Sequence, residues 1–280
     1  MVFIASPNHL HAEHAKLAAE AGKHVLVEKP MATTTSDAVA IIESCKVNGV
    51  KLAVGFQLRY HPGHIEARKL VQDGVLGQVS FIHGLIGSGI RGETQREIRS
   101  GLRSWWEAPD MVGNAMTFIG SGVHAMDAME NVLGQTVVEV AAITDGQTAE
   151  TPLESLASLT LRISGGAIGT LCSSSRVPDA INDVTVYGSD GRIILKDSSR
   201  PVMGGGLEIN SETVNSSVIY ESDALALAKW QIEGFNRAIT RDEESYATGM
   251  DGLRSVQITE AMIESAKTRR IVRVEPIQVN

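Results

Sequence analysis

The chain has 280 residues, 43% of them hydrophobic and 21% charged, with a formal net charge of -8. That length can bury a sizeable core and divide into about two domains. The negative balance argues against nucleic acid or an anionic membrane surface as a partner. Two cysteines, Cys45 and Cys172, are too few for a disulfide framework and fit a reducing compartment, the cytoplasm. The start Met1–Ala5 carries no basic region and too short an apolar stretch for a signal peptide, and no run reaches the length of a membrane-spanning helix.

Taken in order, Val2 to Ala5 reads as a buried strand, Ser6-Pro7-Asn8 as a turn with Asn8 as N-cap, and Leu10 to Ala21 as a helix stopped by Gly22. Val25-Leu26-Val27 is a continuous apolar run that meets Glu28-Lys29-Pro30, and Pro30 ends the strand. Thr35 or Ser36 caps a second helix that ends near Asn48-Gly49, and Leu52 to Gly55 is a third strand. Three strands alternating with two helices predict a parallel sheet. Glu28 and Lys29 then lie at a strand's carboxyl end, the edge where ligands collect in such sheets. Lys29 there is either a solvated surface lysine or a proton donor whose pKa is lowered by burial or a positive neighbour. His9, His11 and His14 cluster at the first helix, with His11 near its start, but no cysteine or carboxylate pair accompanies them. They read as facing solvent or a ligand cleft, and no metal site is assigned.

A domain boundary falls near Arg59, dividing the chain into 1–59 and 60–280. A helix from His64 to Gln72 follows, then a half-buried antiparallel strand alternating through Val79, Phe81, His83 and Leu85. Gly87-Ser88-Gly89-Ile90-Arg91-Gly92 matches G-x-G-x-x-G literally, but the preceding strand alternates and the following segment, Glu93 to Ser104, is highly charged, so a surface loop is expected. Trp105 and Trp106 either stack on a planar ligand or anchor a loop. A helix over Gly120 to Leu133 carries His124 and Asp127 three apart, so that Asp127 either orients a catalytic His124 or forms a structural pair with it. Strands are predicted over Thr136–Ile143, Ser155–Ile163, Ala167–Ser173, Val184–Gly188 and Gly191–Leu195. An exposed loop over Val202–Asn215, helices over Leu225–Ile239 and Gly252–Thr268, and a last strand over Ile271–Val274 complete an α+β domain. Its open sheet face calls for a cover, and a second subunit is the simple candidate.

Together these stretches resemble a known family: Ala5-Ser6-Pro7-Asn8-x-x-His11, Gly22 through Glu28-Lys29-Pro30, Gly55-x-x-x-Arg59, Gly122-Val123-His124-x-x-Asp127, and Asp251-Gly252-Leu253 through Ser265 to Val272. The chain is similar to the glucose–fructose oxidoreductase, inositol dehydrogenase and MocA family over nearly its whole length. The resemblance implies α/β plus α+β architecture: part of a Rossmann domain with a parallel sheet, then an α/β domain with a large, mostly antiparallel sheet, assembled as a homodimer or homotetramer. It implies NAD or NADP as cofactor, with hydride transfer to or from a sugar, polyol or related carbinol or ketone. Carried over residue by residue, Lys29 and His124 match the catalytic pair. Ser6, Pro7, Asn8, His11, Glu28, Lys29, Arg59 and Trp106 match cofactor-side positions. Two positions depart from the pattern. Gly120 stands where the family often has Asp, and Glu107 where Arg often follows the tryptophan. The family's G-x-G-x-x-G unit precedes the point that residue 2 matches. The alternative expectation is therefore a non-catalytic, oligomeric sugar-binding or scaffold relative, or a truncated fragment.

Overall fold

The computed structural model describes residues 1–93 and 98–279. Its first sheet is built on β2 (Val25–Val27), all three residues of which are buried. β2 lies between β1 (Val2–Ile4) and β3 (Leu52–Val54), parallel to both. A strand with neighbours on both faces needs apolar side chains on both. Val25 and Val27 pack with Ala15 and Ala19 of helix α1 (His11–Glu20) and with Ala38 and Ile41 of α2 (Thr35–Val47), while Leu26 meets Phe235 and Ala238 on the other side. β1 differs from expectation: it is an edge strand with Val2 37% and Phe3 48% exposed, and only Ile4 is buried. The helix caps also differ. Asn8 sits in a 3-10 turn and makes no capping bond. Thr34, one residue earlier than expected, accepts from the Asp37 amide to start α2.

The second sheet has nine strands in the order β11-β10-β9-β8-β4-β7-β6-β5-β12. In chain order these are β4 (Val79–Gly87), β5 (Val137–Thr144), β6 (Leu156–Ile163), β7 (Ile168–Ser174), β8 (Val184–Gly188), β9 (Gly191–Lys196), β10 (Gly206–Ser211), β11 (Asn215–Ile219) and β12 (Val272–Arg273). β4 runs parallel to β7 and antiparallel to β8. Its buried side chains are Ile82 and Ile86, so Phe81, His83 and Leu85 form the half-exposed outer face, the reverse of what their spacing suggests, while a bulge between Val79 and Phe81 leaves Val79 packed against the core. The expected loop over Val202–Asn215 contains β10, which points Leu207 and Ile209 into the core. Gly205, at φ +71, makes the entry possible, because a Cβ there would lie 2.0 Å from the Lys196 carbonyl. The G-x-G-x-x-G match begins at the last residue of β4, where Gly87 gives room to Ala180.

Helix α3 (Pro62–Gln72) starts at Pro62 behind a His61 cap. Two further helices, α5 (Val123–Leu133) and α7 (Gly249–Thr268), line the inner sheet face; α4 (Pro109–Val112) and α6 (Ala226–Arg241) complete the set. α5 is buried at ten positions, and a π-helical turn over Phe118–Gly122 leads into it. Gly122 permits that turn, since a Cβ would meet Phe118 at 2.6 Å and Ser173 at 3.0 Å. α7 spans both cores: Leu253 and Val256 pack with the first sheet, Ile258 and Met262 with the second.

Candidate active site

The carboxyl ends of β1 and β2 turn toward the π-helical turn ahead of α5. The ring of His11 bridges them, with one nitrogen 2.8 Å from the Ser6 carbonyl oxygen and the other 2.8 Å from that of Pro30. His11 is 1% exposed, so it knits the two loops together and does not face a cleft or solvent. Burial holds its pKa below the usual value, against the opposing pull of the two carbonyl contacts. His14 Nδ1 lies 3.0 Å from the Ser6 hydroxyl. Among the described residues no three His, Cys, Asp or Glu side chains converge as a metal site.

Lys29 leaves the end of β2 and crosses to the turn. Its Nζ donates to the Gly120 carbonyl at 2.5 Å and the Ile119 carbonyl at 3.2 Å. Burial lowers its pKa to about 8; the Glu28 carboxylate opposes that shift and the Arg99 charge adds to it. Glu28 is itself pushed up by burial, while the Lys29 charge and backbone N–H pull it down. His124, on the first turn of α5, is 3% exposed, and its Nδ1 has no hydrogen-bond partner among the described residues. Burial, then the Lys29 charge, holds its pKa well below 6.5, so the imidazole is neutral at neutral pH.

Asp127 does not meet His124. It takes the Arg59 guanidinium instead, from Nη2 at 2.7 Å and Nε at 3.0 Å. Arg59 also pairs with Asp251 at 2.8 Å and donates to the Tyr246 carbonyl at 2.9 Å. Burial disfavours the Arg59 charge, but Asp127 and Asp251 outweigh it and raise its pKa. Every nitrogen of Arg59 is thus engaged within the protein, in a clamp joining the exit of the first sheet to α5 and α7. Residues three apart on a helix differ in direction by about 60°, enough for Asp127 to face this clamp while His124 faces Lys29.

Trp105 and Trp106 stack on each other with ring centroids 4.7 Å apart, and the Arg99 guanidinium lies 4.2 Å over Trp106. Trp106 borders Gly120: a Cβ on that glycine would find only Trp106, at 3.9 Å. A cavity of about 430 Å³ opens here, with Arg99, Arg103, Thr117, Gly120, Ser121 and Ser175 in its walls. A larger cleft of about 850 Å³ lies elsewhere, around Arg59, Arg68, Glu130 and Arg254. Lys29 and His124 line neither space; the smaller one adjoins Lys29 through Gly120, whose carbonyl the lysine holds.

Glu154 was not singled out by spacing or motif. Fully buried, it accepts from the Met116 amide at 2.9 Å and the Phe118 amide at 2.8 Å, so it holds the turn that presents the Ile119 and Gly120 carbonyls. A single glutamate ahead of an alternating strand gives no warning of this role.

A nicotinamide nucleotide is the group this edge would take. Asn8 Nδ2 and Gln57 Oε1, at the carboxyl ends of β1 and β3, are buried without protein partners among the described residues. Buried polar atoms are normally satisfied, so both suit a polar ligand there. Ser6, Pro7, Asn8 and Glu28 lie along this edge, and Trp106 borders the turn that Lys29 reaches. Arg59 is drawn into its clamp.

Residues 1–56 match the model of an oxidoreductase family with an NAD-binding Rossmann fold, and residues 64–194 match the GFO/IDH/MocA C-terminal domain. D-xylose 1-dehydrogenase [NADP(+)] of Haloarcula marismortui is 24% identical, over 98% of this chain and 74% of that protein. 1,5-anhydro-D-fructose reductase of Ensifer adhaerens is 25% identical, over 98% and 79%. The crystal structure of aldose-aldose oxidoreductase from Caulobacter crescentus, complexed with glycerol, superposes with a TM-score of 0.82 at 27% identity, covering 97% of this chain and 78% of that one. With residues 1–56 matched by the NAD-binding model and residues 64–194 by the C-terminal one, together well over half of its length, the chain belongs to the Gfo/Idh/MocA oxidoreductase family.

Proposed function

We propose that the protein is an NAD(P)-dependent oxidoreductase that interconverts a sugar or polyol carbinol and its ketone or lactone. The observation that carries this reading is Lys29, held on the Gly120 carbonyl beside a neutral, buried His124. The names of the relatives, a xylose dehydrogenase and an anhydrofructose reductase, support the substrate class. The retained Lys29 and His124 weigh against a non-catalytic scaffold.

The nicotinamide would accept or give the hydride at the reacting carbon. Ser6, Pro7, Asn8 and Glu28 would hold it along the ends of β1 and β2, with Trp106 at the far wall. In the oxidation direction, neutral Lys29 takes the proton from the substrate hydroxyl. His124 binds the same oxygen through a ring nitrogen and fixes its position. General acid–base help of this kind is worth about 10² to 10⁴ in rate. Arg59 serves by positioning: with Asp127 it fixes the helix that carries His124.

The outer face of the large sheet, with Phe81 and Tyr187 at its centre and Ile143 78% exposed, would pair with a second copy. Cys45 and Cys172 are both free thiols, which supports a cytoplasmic setting. No helix among the described residues is long and apolar enough to cross a membrane.

Titrating the protein with NADH and NADPH, then screening sugars and polyols with either oxidised cofactor, tests the reading. Cofactor binding with turnover that falls about 10² to 10⁴-fold in Lys29→Ala is expected. Unchanged turnover in that variant refutes the role of Lys29, and a folded protein that binds neither cofactor refutes the reading as a whole.

A further inference from the structure

We propose that the cavity at Gly120, the residue whose carbonyl Lys29 holds, takes a polyhydroxylated substrate carrying a carboxylate, a sugar acid such as an aldonate or uronate. The inference rests on the hydride-transfer reading and narrows its substrate class. At about 430 Å³ the cavity falls within the range of small-molecule sites, about 300 to 1,000 Å³. Ser121, Thr117 and Ser175 line it: the Ser121 hydroxyl can both donate and accept, while those of Thr117 and Ser175, which donate to the Glu154 and Ser155 carbonyls, offer acceptor lone pairs to a polyol.

Its charge is the distinguishing feature. The chain as a whole carries -8, and among the described residues two arginines, Arg99 and Arg103, and one acid, Glu93 on the exposed rim, line this cavity. Arg99 lies over Trp106, which borders Gly120, so a substrate anion at Arg99 stands near the turn whose carbonyl holds Lys29. The side chain of Arg103 meets no carboxylate among the described residues. A guanidinium fork matches a planar carboxylate with two parallel hydrogen bonds.

Gly120 completes the argument. It has no positive φ, and a Cβ would meet nothing closer than Trp106 at 3.9 Å, so the backbone does not require glycine. Its effect is to leave the wall next to Lys29 open and uncharged. A singly charged carboxylate suits this setting better than a phosphate dianion, because Glu93 and Glu107 lie near the same arginines.

Equilibrium titration of the whole chain, read by tryptophan fluorescence, tests the proposal with D-gluconate, D-glucuronate, D-glucose and D-glucose 6-phosphate as probes. At least one sugar acid is expected to bind about tenfold more tightly than glucose. Arg103→Gln should bring that preference close to unity, and Gly120→Asp, which places an acid beside the bound carboxylate, should reverse it. Glucose binding as tightly as both acids overturns the proposal. So does tighter binding of the phosphate than of either acid, or no binding of any probe to the folded protein. Turnover of the same panel with NAD+ and NADP+ separates the two claims. Acid-selective binding without nicotinamide reduction refutes the oxidoreductase reading and leaves the site, whereas turnover of neutral sugars with no acid preference does the reverse.

Discussion

Glu154 gives the sharpest test of how the site is held together. Its carboxylate accepts from the Met116 and Phe118 amides and from Gln147 Nε2, at 2.9, 2.8 and 3.2 Å. Glu154→Ala leaves two buried backbone donors without partners, each costing about 1 to 3 kcal/mol. Release of a buried carboxyl, whose pKa burial already pushes upward, offsets part of that loss. A net destabilisation of about 2 to 4 kcal/mol is expected, which for a chain of this size lowers Tm by roughly 5 to 15 °C. Because the same turn carries the two carbonyls that hold Lys29, a shift of about 1 Å there should also cost about 10²-fold in kcat. Glu154→Gln keeps one acceptor oxygen and should lose about half as much stability. Thermal melts of both variants, with turnover at saturating cofactor, check this. A Glu154→Ala protein that melts within about 1 °C of wild type with unchanged kcat would refute the reasoning.

Asp127→Ala removes the closest partner of a buried arginine. Such losses cost about 3 to 5 kcal/mol, and Asp251 remains to hold Arg59 toward the lower end of that range. Urea unfolding reads it, and a change below about 0.5 kcal/mol would show that the clamp does not contribute to stability. The buried histidines predict acid lability. Burial lowers the His64 pKa to about 3, with the His61 charge adding to the shift and the Ser198 carbonyl opposing it. The unfolded chain takes up that proton near pH 6.5 and the folded one does not. Stability is therefore intact above about pH 6.5 and falls as pH drops toward 3, by up to about 1.4 kcal/mol per pH unit. The urea midpoint should fall between pH 7.5 and 5, less steeply in His64→Gln; a midpoint constant over that range contradicts the reasoning.

The first sheet was legible because its signals are local: Val25-Leu26-Val27 is apolar on both faces and ends in a proline, and the family pattern lies on these residues. The position of Lys29 at a strand end was legible for the same reason. Its acceptors were not, since they lie some ninety residues away on a π-helical turn with no pattern of its own. The His124–Asp127 spacing was real, but the partner of Asp127 was decided by Arg59, a charge brought in from another element. In β4 both faces carry apolar residues, so alternation alone gave no sign of which one the helices would cover. β10 was hidden because its glycines and polar residues read as loop, although Leu207 and Ile209 alternate as a strand should.

The most direct test of the central claim is the pH dependence of kcat/KM for carbinol oxidation. Burial lowers the Lys29 pKa to about 8, and oxidation needs the lysine neutral to receive the hydroxyl proton. The rate should rise with pH through about 8 and level off above it. Lys29→Ala should be about 10² to 10⁴-fold slower and lack that step. A wild-type rate flat from pH 7 to 9, or a Lys29→Ala protein with the same step and rate, would contradict Lys29 as the group that moves the proton.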